Sequence, residues 1–123
     1  MHELSIAMSI VEMAEEESDR HGGVKITAVH LKLGLLSGVV QVALENAFSL
    51  ACEGTILEKA DLIVEQVPIV AHCPKCAADR TLPTMQSFIC PVCFTPLSEI
   101  IHGRELEVVA LEIEDLEVPC PES

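Results

Sequence analysis

The chain is 123 residues long, half of them apolar, with a formal net charge of −13. That length holds one core, or one core plus a small metal-stapled insert needing little apolar area of its own. The charge repels nucleic-acid phosphates, and no apolar run reaches the roughly 20 residues of a membrane span, so a soluble protein that binds neither nucleic acid nor membrane is expected.

The only aromatic residues are Phe48, Phe88 and Phe94, so the core is aliphatic and a surface for stacking bases is lacking. From Leu4 to Arg20, Leu4, Ala7, Met8, Val11 and Ala14 recur at helical spacing, with Glu12, Glu15, Glu16 and Asp19 on the wet side. Gly22-Gly23 stops that helix. Thr27, Val29, Leu31 and Leu33 then alternate with Ala28, His30 and Lys32, the pattern of a strand with one buried face. Gly34-Leu35-Leu36-Ser37-Gly38 turns the chain. Leu44, Ala47, Phe48 and Ala51 write a second helix, closed by Gly54. A strand is expected from Ala60 to Ala71, with Pro68 marking an edge or an end because it cannot donate to a ladder. After Gly103, Arg104 to Glu114 forms a third strand.

The order α-β-α-β-insert-β predicts an α+β fold: two helices on a three-stranded, mainly antiparallel sheet, with an inserted four-cysteine zinc knuckle. The expected division is a body of residues 1–71 plus 103–117, an insert of 72–102 and a flexible tail of 118–123.

The insert carries the clearest chemistry. Cys73-Pro-Lys-Cys76 and Cys90-Pro-Val-Cys93 stand thirteen residues apart, and each Cys-x-x-Cys bend points two sulfurs the same way, so four thiolates can close around one zinc ion. The start, Met1-His2-Glu3-Leu4, has no basic leader followed by an apolar segment, so reduced thiols in the cytoplasm are expected rather than disulfides. His72 and His102 flank an already saturated tetrahedral site and are assigned to its surroundings. His21 and His30 receive no role. Cys52 falls on the apolar stripe of the second helix as a small buried hydrophobe, and Cys120 is a stray thiol between two prolines of the tail.

The amino terminus offers a second donor set. The Met1 amine, the His2 amide nitrogen and the His2 imidazole Nδ1 can surround one ion in fused chelate rings, a planar arrangement suited to Ni(II) or Cu(II). Glu3 can add its amide nitrogen or its carboxylate. Anionic donors are needed because the positive end of the helix dipole lies there. Taken alone, His2 and Glu3 also read as ordinary residues of a frayed helix start.

Met1-His2-Glu3-Leu4-Ser5, Gly34 with Leu36-Ser37-Gly38-Val39, Ala47-Phe48, Glu53-Gly54-Thr55, the paired knuckles and Gly103-Arg104-Glu105-Leu106 together resemble the hydrogenase-maturation nickel chaperones of the HypA/HybF type. The resemblance runs from Met1 to about Glu114. It implies a non-enzymatic metallochaperone that carries Ni(II) as cargo on His2, the Met1 amine and the Glu3 region, with structural zinc on Cys73, Cys76, Cys90 and Cys93. It further implies delivery to the precursor of the [NiFe]-hydrogenase large subunit together with a GTP-hydrolysing nickel partner, some relatives also serving urease; a homo-oligomer is left open. Two departures stand out. Leu35, Val39 and Val40 occupy positions where many relatives have carboxylates. Ala77 and Phe94 stand where glycine often follows a knuckle's second cysteine, which predicts less tightly wound turns. The competing readings are a rubredoxin-like iron carrier and a zinc-ribbon adaptor for protein–protein contacts, which stoichiometric nickel uptake would distinguish.

Overall fold

The structure, a computed structural model, describes residues 3–84 and 87–114. Met1, His2 and everything beyond Glu114, with Cys120 and the expected tail, lie outside the described residues. Two helices, α1 (Glu3–Arg20) and α2 (Gln41–Cys52), accompany six strands: β1 (Ile26–Gly34), β2 (Asp61–Val67), β3 (Ile69–Cys73), β4 (Ala78–Leu82), β5 (Glu99–His102) and β6 (Leu106–Ile113). One three-stranded sheet has the order β2-β1-β6 and the other β4-β3-β5. The expected α+β class, with a four-cysteine insert, is the one observed.

The chain packs as two compact units, one of Met1–His30, Val40–Ile63 and Val108–Ser123, the other of Leu31–Val39 and Val64–Glu107.

In the first unit α1 packs on α2. The buried stripe of α1 is Ile6, Ala7, Ile10, Val11, Ala14 and Ser18, whereas Leu4 and Met8 are exposed. The expected stripe was therefore out of phase. Apolar residues at 4, 6, 7, 8, 10 and 11 cover more than half of the helix circumference, so spacing alone leaves the inward face ambiguous. Ser18, the one buried polar residue among the described residues, settles the far end: its hydroxyl donates to the Val24 carbonyl, while Gly23 N–H returns to the Ser18 carbonyl at 2.8 Å. Gly22 and Gly23, with φ of 87° and 82°, supply the left-handed turn that releases the chain toward β1.

On α2 the buried residues are Leu44, Phe48 and Cys52. Gly54 follows with φ 77°. β1 differs from the one-sided strand expected: Thr27 is exposed and donates its hydroxyl to the Glu112 carbonyl, while Ile26 and Ala28 are buried alongside Val29. As the central strand of its sheet, β1 is paired along both edges, and its buried residues fall on both faces, Ile26 and Ala28 on one and Val29, Leu31 and Leu33 on the other. Glu114 N–H to Lys25 O at one end and Gly34 N–H to Glu105 O at the other show that β6 runs antiparallel to it.

In the second unit Pro68 divides what the sequence suggests is a single strand: β2 and β3 belong to different sheets. The physical reason is the missing N–H, which ends one ladder so that the next residue can begin another. β3 pairs antiparallel with β4, Ile69 facing Leu82, Ala71 facing Arg80 and Cys73 facing Ala78, and antiparallel with β5. Its core is Ile69, Ala71, Cys73, Leu82, Cys90 and Leu97, with Leu36, Phe88 and Ile100 against it.

Two of the motif glycines meet here. Leu36 N–H donates to Gly103 O at 2.6 Å and Gly34 N–H to Glu105 O at 2.7 Å. A Cβ on Gly34 would strike the Gly103 carbonyl and stand 2.7 Å from Arg104 N. Glu105 locks the same corner, one carboxylate oxygen accepting Gly103 N–H at 2.7 Å and the other facing His102 Nδ1 at 3.0 Å. Those two contacts hold its carboxyl below the usual value of 4.5, the Gly103 N–H contributing most.

Candidate metal centre

Cys73 ends β3, Cys76 lies in the turn before β4, and Cys90 and Cys93 frame a second turn. That turn is closed by Phe94 N–H to Cys90 O at 2.8 Å and Cys90 N–H to Thr95 O at 2.9 Å, beside an isolated bridge between Ile89 and Pro96. The four Sγ atoms lie within 4.8 Å of one another. Cys73 Sγ is 3.5 Å from Cys93 Sγ, and Cys76 Sγ is 3.9 Å from Cys90 Sγ. Sulfurs at the Zn–S distance of about 2.3 Å in a tetrahedron stand about 3.8 Å apart, so this donor set fits zinc in both chemistry and spacing. Among the described residues no other group of three or more His, Cys, Asp or Glu side chains converges this way.

The turns also stabilise negative charge on sulfur. Cys76 N–H points at Cys73 Sγ at 3.4 Å, and Val92 and Cys93 N–H point at Cys90 Sγ at 3.4 and 3.5 Å. Burial alone would push Cys90 up, but those two backbone donors and the hydrogen bonds with the Cys93 and Cys73 side chains together outweigh it and bring its thiol down to about 6. The Thr95 hydroxyl, 3.1 Å from Cys93 Sγ, leads the donors that lower Cys93. Burial dominates at Cys73 and pushes it up to about 11. The backbone and hydroxyl donors thus favour thiolate at Cys90 and Cys93 over Cys73.

Ala77 and Phe94 adopt φ of 54° and 61°, the left-handed position where glycine was missed. Each bend reaches this conformation despite the Cβ, at a backbone cost of about 1–2 kcal/mol per residue.

No histidine among the described residues joins the sulfurs: His72 Nδ1 faces Asp79 at 2.9 Å and His102 faces Glu105. His30, expected on an open face, is half-buried and its ring contacts the Glu112 carboxylate. Cys52 is buried as expected, its thiol pushed up to about 11 by burial first and by Glu15 second. Two neighbours of the centre escape sequence reasoning. One is Thr95; the other is Arg80, whose pKa the Cys76 and Cys90 side chains raise, while its Nε is buried without a hydrogen-bond partner.

At the other predicted site only Glu3 is described. Its carboxylate accepts the N–H of Val40 at 3.1 Å. Val40 is the N-cap of α2 and offers no side-chain cap of its own, so Glu3 supplies that contact from the first residue of α1, next to the positive end of the α2 dipole.

Residues 1–113 match the profile of a family described as "Hydrogenase/urease nickel incorporation, metallochaperone, hypA". The chain belongs to the HypA family. A hydrogenase maturation factor HypA from Chloroflexus aurantiacus is 52% identical over 112 residues, covering 91% of this chain and 98% of that protein. One from Streptomyces avermitilis is 38% identical, covering 94% and 88%. Among solved structures, the solution structure of the Ni metallochaperone HypA from Helicobacter pylori superposes with a TM-score of 0.63 at 23% identity, covering 92% of this chain and 97% of that one. A second, titled "Solution structure of HypA protein", gives 0.68 at 22%, covering 93% and 97%; at these identities the two structures establish the fold. The family is one of metallochaperones and maturation factors. No helix among the described residues is long and apolar enough to cross a membrane.

Proposed function

We propose that this protein carries Ni(II) on its amino terminus and delivers it to the precursor of [NiFe]-hydrogenase, with zinc held apart on Cys73, Cys76, Cys90 and Cys93. The observation that carries the reading is the family match, which begins at residue 1 and so includes the Met1-His2-Glu3 start. In this reading the Met1 amine, the His2 amide and the His2 imidazole grip the ion, and Glu3 contributes its backbone nitrogen. The engagement of the Glu3 carboxylate with Val40 N–H supports the backbone over the side chain. Two amide nitrogens that lose their protons offset the cation where the α1 dipole opposes it. A planar, open chelate leaves room for an incoming ligand, and transfer proceeds by exchange.

The cytoplasm is the expected compartment, a GTP-hydrolysing nickel protein and the large-subunit precursor are the expected partners, and urease is a second possible recipient. The family description names both hydrogenase and urease and so supports the two recipients; the compartment and the GTP-hydrolysing partner rest on the family resemblance. The division into a nickel-bearing body (1–71 plus 103–117) and a zinc insert (72–102) is kept as part of the proposal.

The test is calorimetric nickel titration of the untagged protein, with zinc counted by elemental analysis. His2→Ala, or a short extension ahead of Met1, is expected to abolish nickel uptake and leave zinc at one per chain. An extended protein that binds nickel unchanged would refute the terminal chelate, and a wild-type protein that takes up no nickel would refute the carrier role.

A further inference from the structure

The antiparallel register of β3 and β4 sets Ala78, Arg80 and Leu82 opposite Cys73, Ala71 and Ile69. Directly opposed residues of an antiparallel pair point to the same side of a sheet. Arg80 therefore projects from the face that bears Cys73 and the buried core, while Asp79 projects from the other face with His72. An arginine on that side is unusual, because a guanidinium taken from water needs an anion in return. None of the ion pairs among the described residues engages Arg80, and its Nε is buried without a partner. The register turns it to the side of the cysteine cluster, and the groups that favour its charge are the side chains of Cys76 in the first knuckle and Cys90 in the second.

The charge balance of the site explains the placement. Four thiolates around one divalent cation carry two net negative charges, close to a low-dielectric core that penalises them. The rest of the chain adds to the difficulty, with 20 acidic against 7 basic residues. We propose that Arg80 is the built-in counter-cation of the cysteine centre, a positioning residue that spans both knuckles and holds the four-thiolate form of the zinc site by its charge. The inference rests on the zinc reading of the four cysteines. It assigns to Arg80 no contact with the metal itself. A cation beside these two sulfurs draws electron density from them, so it lowers their tendency to take up a proton or an electrophile in place of the metal.

The test compares the full-length protein with Arg80→Met, Arg80→Gln and Arg80→Lys, measuring zinc affinity by competition with a chromophoric chelator. Charge is the variable, since methionine keeps the apolar stem, glutamine keeps polarity and lysine keeps the cation. Removing an outer-sphere partner of a metal site weakens binding by about 10–100-fold. That loss is expected for Arg80→Met and Arg80→Gln, with Arg80→Lys closer to wild type. In the cobalt-loaded proteins, the sulfur-to-metal charge-transfer bands are expected to move to lower energy in the two neutral variants alone. Wild-type affinity in Arg80→Met overturns the proposal, as does equal weakening in lysine and glutamine variants. If the methionine variant does not fold, the lysine and glutamine pair decides in the same way. A wild-type protein that binds no zinc at all would instead refute the metal assignment of the cysteines.

Discussion

Glu3 is the residue on which a ligand reading and a structural reading make opposite demands. Its carboxylate accepts Val40 N–H at 3.1 Å and stands at the N-terminus of α2, which has no side-chain cap of its own. A charge-assisted hydrogen bond is worth about 1.5–3 kcal/mol and a charge at a helix N-terminus about 0.3–1 kcal/mol, but the contact is solvent-exposed, so about 1 kcal/mol is the net figure to expect. Glu3→Ala should therefore lower unfolding stability by about 1 kcal/mol in urea at neutral pH, in the absence of nickel. Nickel affinity should fall by less than the about tenfold that marks even an outer-sphere loss, because the Glu3 backbone nitrogen survives the substitution. Both quantities come from one protein preparation, by urea denaturation followed by circular dichroism and by nickel calorimetry. The reasoning fails if Glu3→Ala leaves stability untouched and destroys nickel binding. That result would mean the carboxylate leaves Val40 to become a ligand.

Gly34→Ala should cost about 3–5 kcal/mol, because its Cβ meets the Gly103–Arg104 backbone and must part the bonds from Gly34 N–H to Glu105 and from Leu36 N–H to Gly103. Gly38→Ala, with φ 82° but open space around it, should cost only about 1 kcal/mol, and equal losses in thermal melts of the two variants would refute the packing argument. Ala77→Gly and Phe94→Gly should each stabilise the zinc-free protein by up to about 1 kcal/mol by relieving a left-handed residue, and a lower melting temperature would count against this. Glu105 has a depressed carboxyl, so its contribution is fully present above the ordinary value of 4.5 and is lost as pH falls through the lower folded value. Glu105→Gln should therefore lower stability at neutral pH and narrow its gap to wild type below about pH 4, and a gap that widens on acidification would contradict the sign.

The cysteine centre was the most legible part of the chain, since Cys-x-x-Cys spacing fixes sulfur directions through local backbone alone. What lies around it was not, because β4 and β5 have no apolar period of their own. Ala78-Asp79-Arg80-Thr81-Leu82 is a strand only by virtue of its pairing with β3, and that register is what turns Arg80 toward sulfur. The same dependence on non-local pairing hid the division at Pro68: the missing N–H was visible, but the second sheet waiting to receive Ile69 was not. On α1 the difficulty was excess rather than lack of signal, because Ile6 and Ile10 compete with Leu4 and Met8 for the core and only the docking of α2 chooses between them.

A physical thread joins the features that sequence reasoning missed. Arg80, Thr95 and the Glu105 carboxylate are polar groups whose partners lie on another turn or strand, and each satisfies a charge or a backbone donor. Such groups cannot be inferred from hydrophobic period, which registers only what water expels. They can be inferred from a deficit: a four-thiolate zinc site needs positive charge nearby, and a helix whose N-cap is a valine needs acceptors from elsewhere in the chain for the N–H groups at its start. Asking which residue answers each deficit narrows the search in an acidic chain with 7 Lys and Arg side chains. The same logic gives Glu3 its structural task, since its carboxylate accepts the Val40 N–H.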